Sequence, residues 1–311
     1  MLGILFAIGS LFDFQPYLDR PFAEAIHNAG ALPQFVDYSK QQIEETFDLF
    51  NRGYDLTQMS LLLKTWAPEF AASASYQAWE KSNYRFGIFD GAKPTHKKAR
   101  LIQGINCKMC LEFCDWIKEN HFTELTPSMK QLIDRLISLD QICHHVFLEK
   151  VLEISQTHPQ ITEIFYTYKN QPRLPISLRL IRFDPSDQYT LPLHFDISVM
   201  SLIFPSNDPP LEECLIIAPA DGSTFSIDQL KRALRPIPPD PNQSCALLIS
   251  GALLPNLNIP ILPSPHGVLP HSHTSRYVIV ACLHIPNLNT SKKDTLLPEL
   301  TEIPEHLKTP Q

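Results

Sequence analysis

The sequence predicts an α+β fold in which a helical front packs on a β-rich back. Three observations carry that reading. Before about residue 170 apolar residues recur at helical spacing, and after about Pro175 short β-type runs alternate with Pro, Asp and Asn. A hydrophobic fraction of 44% against 19% charged gives 311 residues enough apolar material for a sizeable core. The 28 prolines against 10 glycines suit the β half, because proline breaks helices and settles at sheet edges and turns.

In the front, "RPFAEAIHNAG" (20–30) and "SKQQIEETFDLFNRG" (39–53) place apolar residues on one helical face and end at glycine. The clearest helix is "TPSMKQLIDRLISLDQICHHVFLEKVLEIS". Thr126 is its expected N-cap and Pro127 its first helical residue. Leu132, Leu136, Leu139 and Ile142–Cys143 trace the apolar face. The back then reads as strands: "ISLRLIRFD", "LPLHFDISVMSLIFP", "ECLIIAPA", "CALLISGALL" and "RYVIVACLHIP". Strands at this spacing predict a sandwich or barrel. The expected organisation is one structural unit: a mainly helical portion over 1–170, a β core over 171–286 and a polar, Pro-containing tail over 287–311.

Composition excludes some functions. A net charge of −7 argues against nucleic acid, whose phosphates demand a basic face; the short run "KPTHKKAR" (93–100) reads as a solvated surface. No run of 18 apolar residues exists, so no membrane-spanning helix is expected. The opening "MLGILFAIGSLF" lacks the basic leader and cleavage site of a secretory signal. Seven dispersed cysteines, an odd number, argue against a disulfide framework and for a reducing cytoplasm.

Two polar residues interrupt the apolar run "LPLHFDISVMSLIF": His194 and Asp196. On a continuous strand, residues i and i+2 share a face, so both project together and need a partner. One partner is each other, as a buried hydrogen-bonded pair. Another is a metal. A mononuclear Fe(II) site takes two His and one carboxylate and leaves positions open. His266 is the candidate third ligand, with His271 and His273 as competitors. Ten residues beyond His266, Arg276 opens a β run. A guanidinium there suits a carboxylate co-substrate, although pairing with a surface acid is the ordinary role of such a residue. Cys107, Cys110 and Cys114 in "NCKMCLEFCDW" suggest zinc or an iron–sulfur group, with His121 the nearest fourth ligand. Their spacing also fits one helix face and so buried structural thiols. His144 and His145, adjacent in the long helix, fit capping or core roles rather than one shared ion.

These residues resemble the 2-oxoglutarate and Fe(II)-dependent oxygenases of the isopenicillin N synthase-like group. The metal strand of that family runs His-x-Asp-x-Ser-x-x-Thr; here it is His194, Asp196, Ser198 and Ser201. The distal segment pairs His266 and Val268 with Arg276, "LRLIRFDP" matches the strand before the metal motif, and the long helix matches the supporting helix. The resemblance, over about 122–286, implies a double-stranded β-helix (jelly-roll) core buttressed by N-terminal helices. It implies Fe(II) on His194, Asp196 and His266, and 2-oxoglutarate anchored by Arg276. O2 would oxidise a small organic substrate while 2-oxoglutarate is converted to succinate.

Several positions depart from the pattern. Val278 stands where the family has a serine, and Phe183 where it has a tyrosine, so two hydroxyls of the co-substrate pocket are replaced. Gly267 follows the distal histidine in place of Arg, and Gly251–Ala252 replaces a Gly-Asp turn. The 72 residues from His194 to His266 imply an insertion around "SIDQLKRALRPIPPDPNQS". Oxidase chemistry without 2-oxoglutarate, or a non-catalytic binding protein on the same scaffold, are the alternatives.

Overall fold

A computed structural model describes residues 34–37, 65–66, 68–70, 72–73, 87–90, 104–162, 174–183, 185, 191–194, 196–205, 215–217, 235–236, 245–251, 253–254, 257, 259, 261, 263–269 and 276–284. The helices expected at 20–30 and 39–53, the basic run at 93–100, His271, His273 and the tail lie outside these residues.

Two antiparallel sheets and two helices organise the described chain. The strands are β1 (Gln34–Asp37), β2 (Gly87–Asp90), β3 (Gly104–Cys110), β4 (Ile176–Phe183), β5 (Leu191–His194), β6 (Met200–Pro205), β7 (Leu215–Ile217), β8 (Arg235–Pro236), β9 (Cys245–Ser250), β10 (His266–Val268) and β11 (Arg276–Leu283). The large sheet has seven strands in the order β1-β9-β6-β11-β4-β3-β2, and the small one has four in the order β5-β10-β7-β8. Three strands of the large sheet come from before residue 170, so the sheet crosses the boundary that the change of texture suggests.

Helix α1 (Leu111–Asn120) is followed by α2 (Pro127–Ser155). The α2 terminus forms as its sequence demands. Thr126 Oγ1 accepts a bond from the Met129 amide, and Pro127 occupies a position where no amide hydrogen is missed. Met129, Leu132, Leu136, Leu139, Cys143, Phe147, Val151 and Ile154 are buried at the three-to-four spacing of one helix face, while Ile142 stays half-buried at its margin. His144 Nδ1 accepts the Leu174 amide at 3.3 Å, and the exposed His145 pairs with Glu149 at 3.2 Å, so the adjacent histidines serve separate purposes.

Strand alternation divides the core in two. Leu178 on β4, Leu202 and Phe204 on β6, and Ile279, Ala281 and Leu283 on β11 face the α2 stripe. The opposite face carries Ile181, Phe183, Ile203, Leu247, Ile249 and Val278, which pack against Leu215, Ile217 and Val268 of the small sheet. The layers are therefore helix, large sheet, small sheet.

Two sequence expectations are corrected. "LPLHFDISVMSLIF" is not one strand: β5 ends at His194, the chain bends over 197–199, and β6 begins at Met200 in the other sheet. Apolar content continues across the bend because both sheets are buried, so hydrophobicity alone does not reveal the break. The three cysteines do not share a helix face either. Cys107 and Cys110 lie on β3, and only Cys114 lies on α1, buried and free. His121 is engaged elsewhere, with Nδ1 2.8 Å from Glu124 and its ring stacked on Trp66 at 4.6 Å.

Candidate metal centre

The pairing of β5 with β10 builds the site. It sets His194 directly opposite His266, with an irregular register between His266 and Val268. Residues far apart in sequence thus become cross-strand neighbours with ring centroids 4.3 Å apart. Asp196, just past the end of β5, completes the group. Its carboxylate oxygens lie 3.7 Å from His194 Nε2 and 3.8 Å from His266 Nε2. Both gaps exceed a hydrogen bond. One donor atom from each residue lies within 4.8 Å of the others, and no other cluster of this kind occurs among the described residues.

The bend after Asp196 is fixed by backbone bonds. The Val199 amide donates to Leu283 O at 2.7 Å, Gly251 to Val199 O at 2.9 Å, and Leu253 to Ser198 O at 2.9 Å. Ser198 and Ser201 hydroxyls meet at 2.9 Å, and Ser201 continues to Cys282 Sγ at 3.6 Å. The segment leading into β10 is held by Ser264, whose hydroxyl meets that of Ser250 at 2.9 Å. His266 Nδ1 donates to the Ser264 carbonyl at 3.0 Å. A carbonyl can only accept, so the proton of neutral His266 sits on Nδ1 and the Nε2 lone pair faces Asp196.

Electrostatics prepare the donors. Burial, followed by the neighbouring His194, lowers His266 from 6.5 to about 4 against the pull of Asp196. The imidazole is therefore neutral at physiological pH. Burial alone would raise the Asp196 carboxyl, but contact with His194, aided by the positive charge of Arg179, outweighs it and holds the group below the ordinary carboxylate range. Asp196 Oδ2 is buried and accepts no hydrogen bond among the described residues. A buried, orphaned carboxylate oxygen between two imidazoles fits a cation as its missing partner.

This arrangement makes a pH prediction. Between pH 6.5 and 4 the unfolded chain protonates His266 and the folded chain does not, so stability rises with pH across that window and is lost on acidification. The metal-free protein is expected to lose about 3 kcal/mol from this group as pH falls through it. Chemical denaturation at a series of pH values, compared with His266→Gln, measures the contribution. An identical pH dependence in the variant would assign the loss to other groups.

The remaining candidates lie on the inter-sheet face of the large sheet. Arg276 is the direct cross-strand partner of Phe183, and its guanidinium carbon sits 5.1 Å from that ring's centroid. This is a cation–π contact at a buried site, since Arg276 is 3% exposed. Val278, opposite Ile181, belongs to the inter-sheet apolar cluster. Sequence reasoning passed over Arg179. It lies on β4 in phase with Ile181 and Phe183, and its charge is felt at both Asp196 and His266. The available signal was an arginine in step with apolar residues at i+2 and i+4.

No family model matches the chain, and no curated protein is similar enough in sequence to match it. Solved structures are similar in fold. The structure of JOX2 in complex with 2OG, Fe and JA matches with a TM-score of 0.50 at 14% identity, covering 92% of this chain and 76% of that one. The chain has the fold of JOX2. A putative 2OG-Fe(II) oxygenase family protein from Caulobacter crescentus gives a TM-score of 0.49 at 15% identity, covering 91% of this chain and 92% of that one. The dioxygenase for auxin oxidation 1 from Arabidopsis thaliana, in a 2-oxoglutarate complex, gives 0.47 at 14%, covering 80% of this chain and 85% of that one. No described helix is long and apolar enough to cross a membrane.

Proposed function

We propose that the protein is a non-haem Fe(II) oxygenase that oxidises a small organic substrate with O2 and 2-oxoglutarate on a double-stranded β-helix core. The observation that carries this reading is the His194–Asp196–His266 cluster, assembled across two strands around an orphaned carboxylate oxygen. The fold shared with JOX2, a protein solved with 2OG and Fe, supports it. In this reading His194, Asp196 and His266 hold the metal by three donors and leave the remaining positions open. Iron(II) bound there supplies the oxygen chemistry that side chains lack.

The protein's part is to bind and orient. Arg276 takes the far carboxylate of 2-oxoglutarate by paired N–H donors, with the Phe183 ring covering one face of its guanidinium. Val278 and the surrounding apolar cluster keep water from the charged pair. Phe183 and Val278 offer no hydroxyl to that carboxylate, which favours one second reading: an oxidase that does without 2-oxoglutarate. The test is anaerobic. Fe(II) is added to metal-free protein, then 2-oxoglutarate, and the visible charge-transfer band of the chelate is recorded. The oxygenase reading expects a band that disappears in His194→Ala and Arg276→Ala. Iron bound without a band would favour the oxidase, and failure to bind iron would sink both.

A further inference from the structure

The face that holds Phe183 and Arg276 continues past them. Along β4, Arg179, Ile181 and Phe183 alternate onto one side, and their partners on β11 are Val280, Val278 and Arg276. Ile181, Phe183 and Val278 line the inter-sheet cluster, and Val280 packs against it from its edge. Arg179, opposite Val280, is thereby placed on the same inter-sheet face, four residues along β4 from Phe183. At ~3.3 Å per residue the two arginine positions are about 13 Å apart. Arg276 is buried, whereas Arg179 is half-buried, and among the described residues no hydrogen bond or ion pair engages its side chain.

The charge balance around the cluster points to what Arg179 would bind. A dication on Asp196 carries one net positive charge, and a dicarboxylate paired with Arg276 carries one net negative charge. These cancel. Arg179, whose register partner on β3 is Lys108, then stands without a counter-charge among the described residues, beside a centre that a nearby anion would not disturb. A half-desolvated guanidinium attracts an anion more strongly than one in open water, and its forked donors match a planar carboxylate.

We propose that Arg179 is the specificity-determining residue of the substrate pocket and that the substrate carries a carboxylate or comparable anionic group bound by this guanidinium. The proposal rests on the oxygenase reading for what occupies Arg276. It assigns Arg179 to substrate rather than to co-substrate.

The test uses the full chain loaded with Fe(II) and 2-oxoglutarate under anaerobic conditions. Straight-chain and aryl monocarboxylic acids are titrated beside their primary amides, and perturbation of the chelate band reports binding. At least one acid is expected to bind tenfold or more tightly than its amide. Arg179→Gln is expected to erase that preference while the chelate band still forms, and Arg179→Lys to restore part of it. Acids and amides binding alike, no acid binding, or an Arg179→Gln variant with undiminished acid preference would overturn the proposal. Loss of the band itself in a folded Arg179→Gln protein would assign the residue to the co-substrate and overturn it too. If the unmodified protein gives no band, the oxygenase reading fails separately, and calorimetry on metal-free protein decides the anion site: Arg179-dependent binding of an acid upholds it, and none overturns it.

Discussion

Asp196→Ala is expected to lose Fe(II) binding by at least about 100-fold and to destabilise the metal-free fold. The carboxylate is the one anionic donor among the three clustered residues, and without it two imidazoles remain. Loss of a ligand exceeds the 10–100-fold typical of losing a residue that merely orients one. Stability is expected to fall too. Oδ2 lacks a hydrogen bond in the metal-free protein, but the surroundings outweigh burial and hold the carboxyl below its ordinary range, so the ionised group contributes to folding at neutral pH. Removing it forfeits that contribution and leaves a small void, for an expected loss of at least about 1 kcal/mol near pH 7. Metal-induced stabilisation, about 2.7 kcal/mol when metal stands at a hundred times its dissociation constant, is expected to vanish. Thermal melts with and without Fe(II), on both proteins, measure the two effects together. A variant that still gains stability from Fe(II) would remove Asp196 from the ligand set. A variant that fails to fold without metal would make the cluster a structural one.

The second large effect concerns a residue that touches no ligand. A Cβ at Gly251 would overlap the carbonyl oxygen, carbonyl carbon and hydroxyl of Ser198. Ser198 is fully buried, and its carbonyl is already held by the Leu253 amide at 2.9 Å. Two of the three overlapped atoms are backbone, so a rotamer change cannot relieve the contact. Gly251→Ala is therefore expected to destabilise by about 3 kcal/mol or more, lowering the melting temperature by roughly 5–10 °C. Because Ser198 lies two residues beyond Asp196, the displaced bend is expected to weaken Fe(II) binding in the same variant. Adding Ser198→Gly removes only the hydroxyl from the clash and is not expected to restore stability. An unchanged melting temperature in Gly251→Ala would mean the bend has room to move, and the coupling between β9 and the metal centre would fall.

The sequence by itself determined the local elements. Thr126 and Pro127 mark the start of α2 because capping chemistry acts over three residues, and the apolar stripe from Met129 to Ile154 follows from helical geometry alone. The strands β4, β9 and β11 are legible for the same reason, as are the two histidines and the aspartate that the fold brings together. What only the tertiary structure decided is how these pieces meet. A run of buried residues looks the same whether it is one strand or two, so the break between β5 and β6 is not written in "LPLHFDISVMSLIF". The cysteine run reads as a helix face because a three-and-four spacing does not record that β3 extends to Cys110. Cross-strand register set His194 against His266 and Arg276 against Phe183, and it placed Arg179 on the inter-sheet face. Register is fixed by long-range backbone pairing between segments tens of residues apart. The side-chain types of a single strand do not encode which partner it will find.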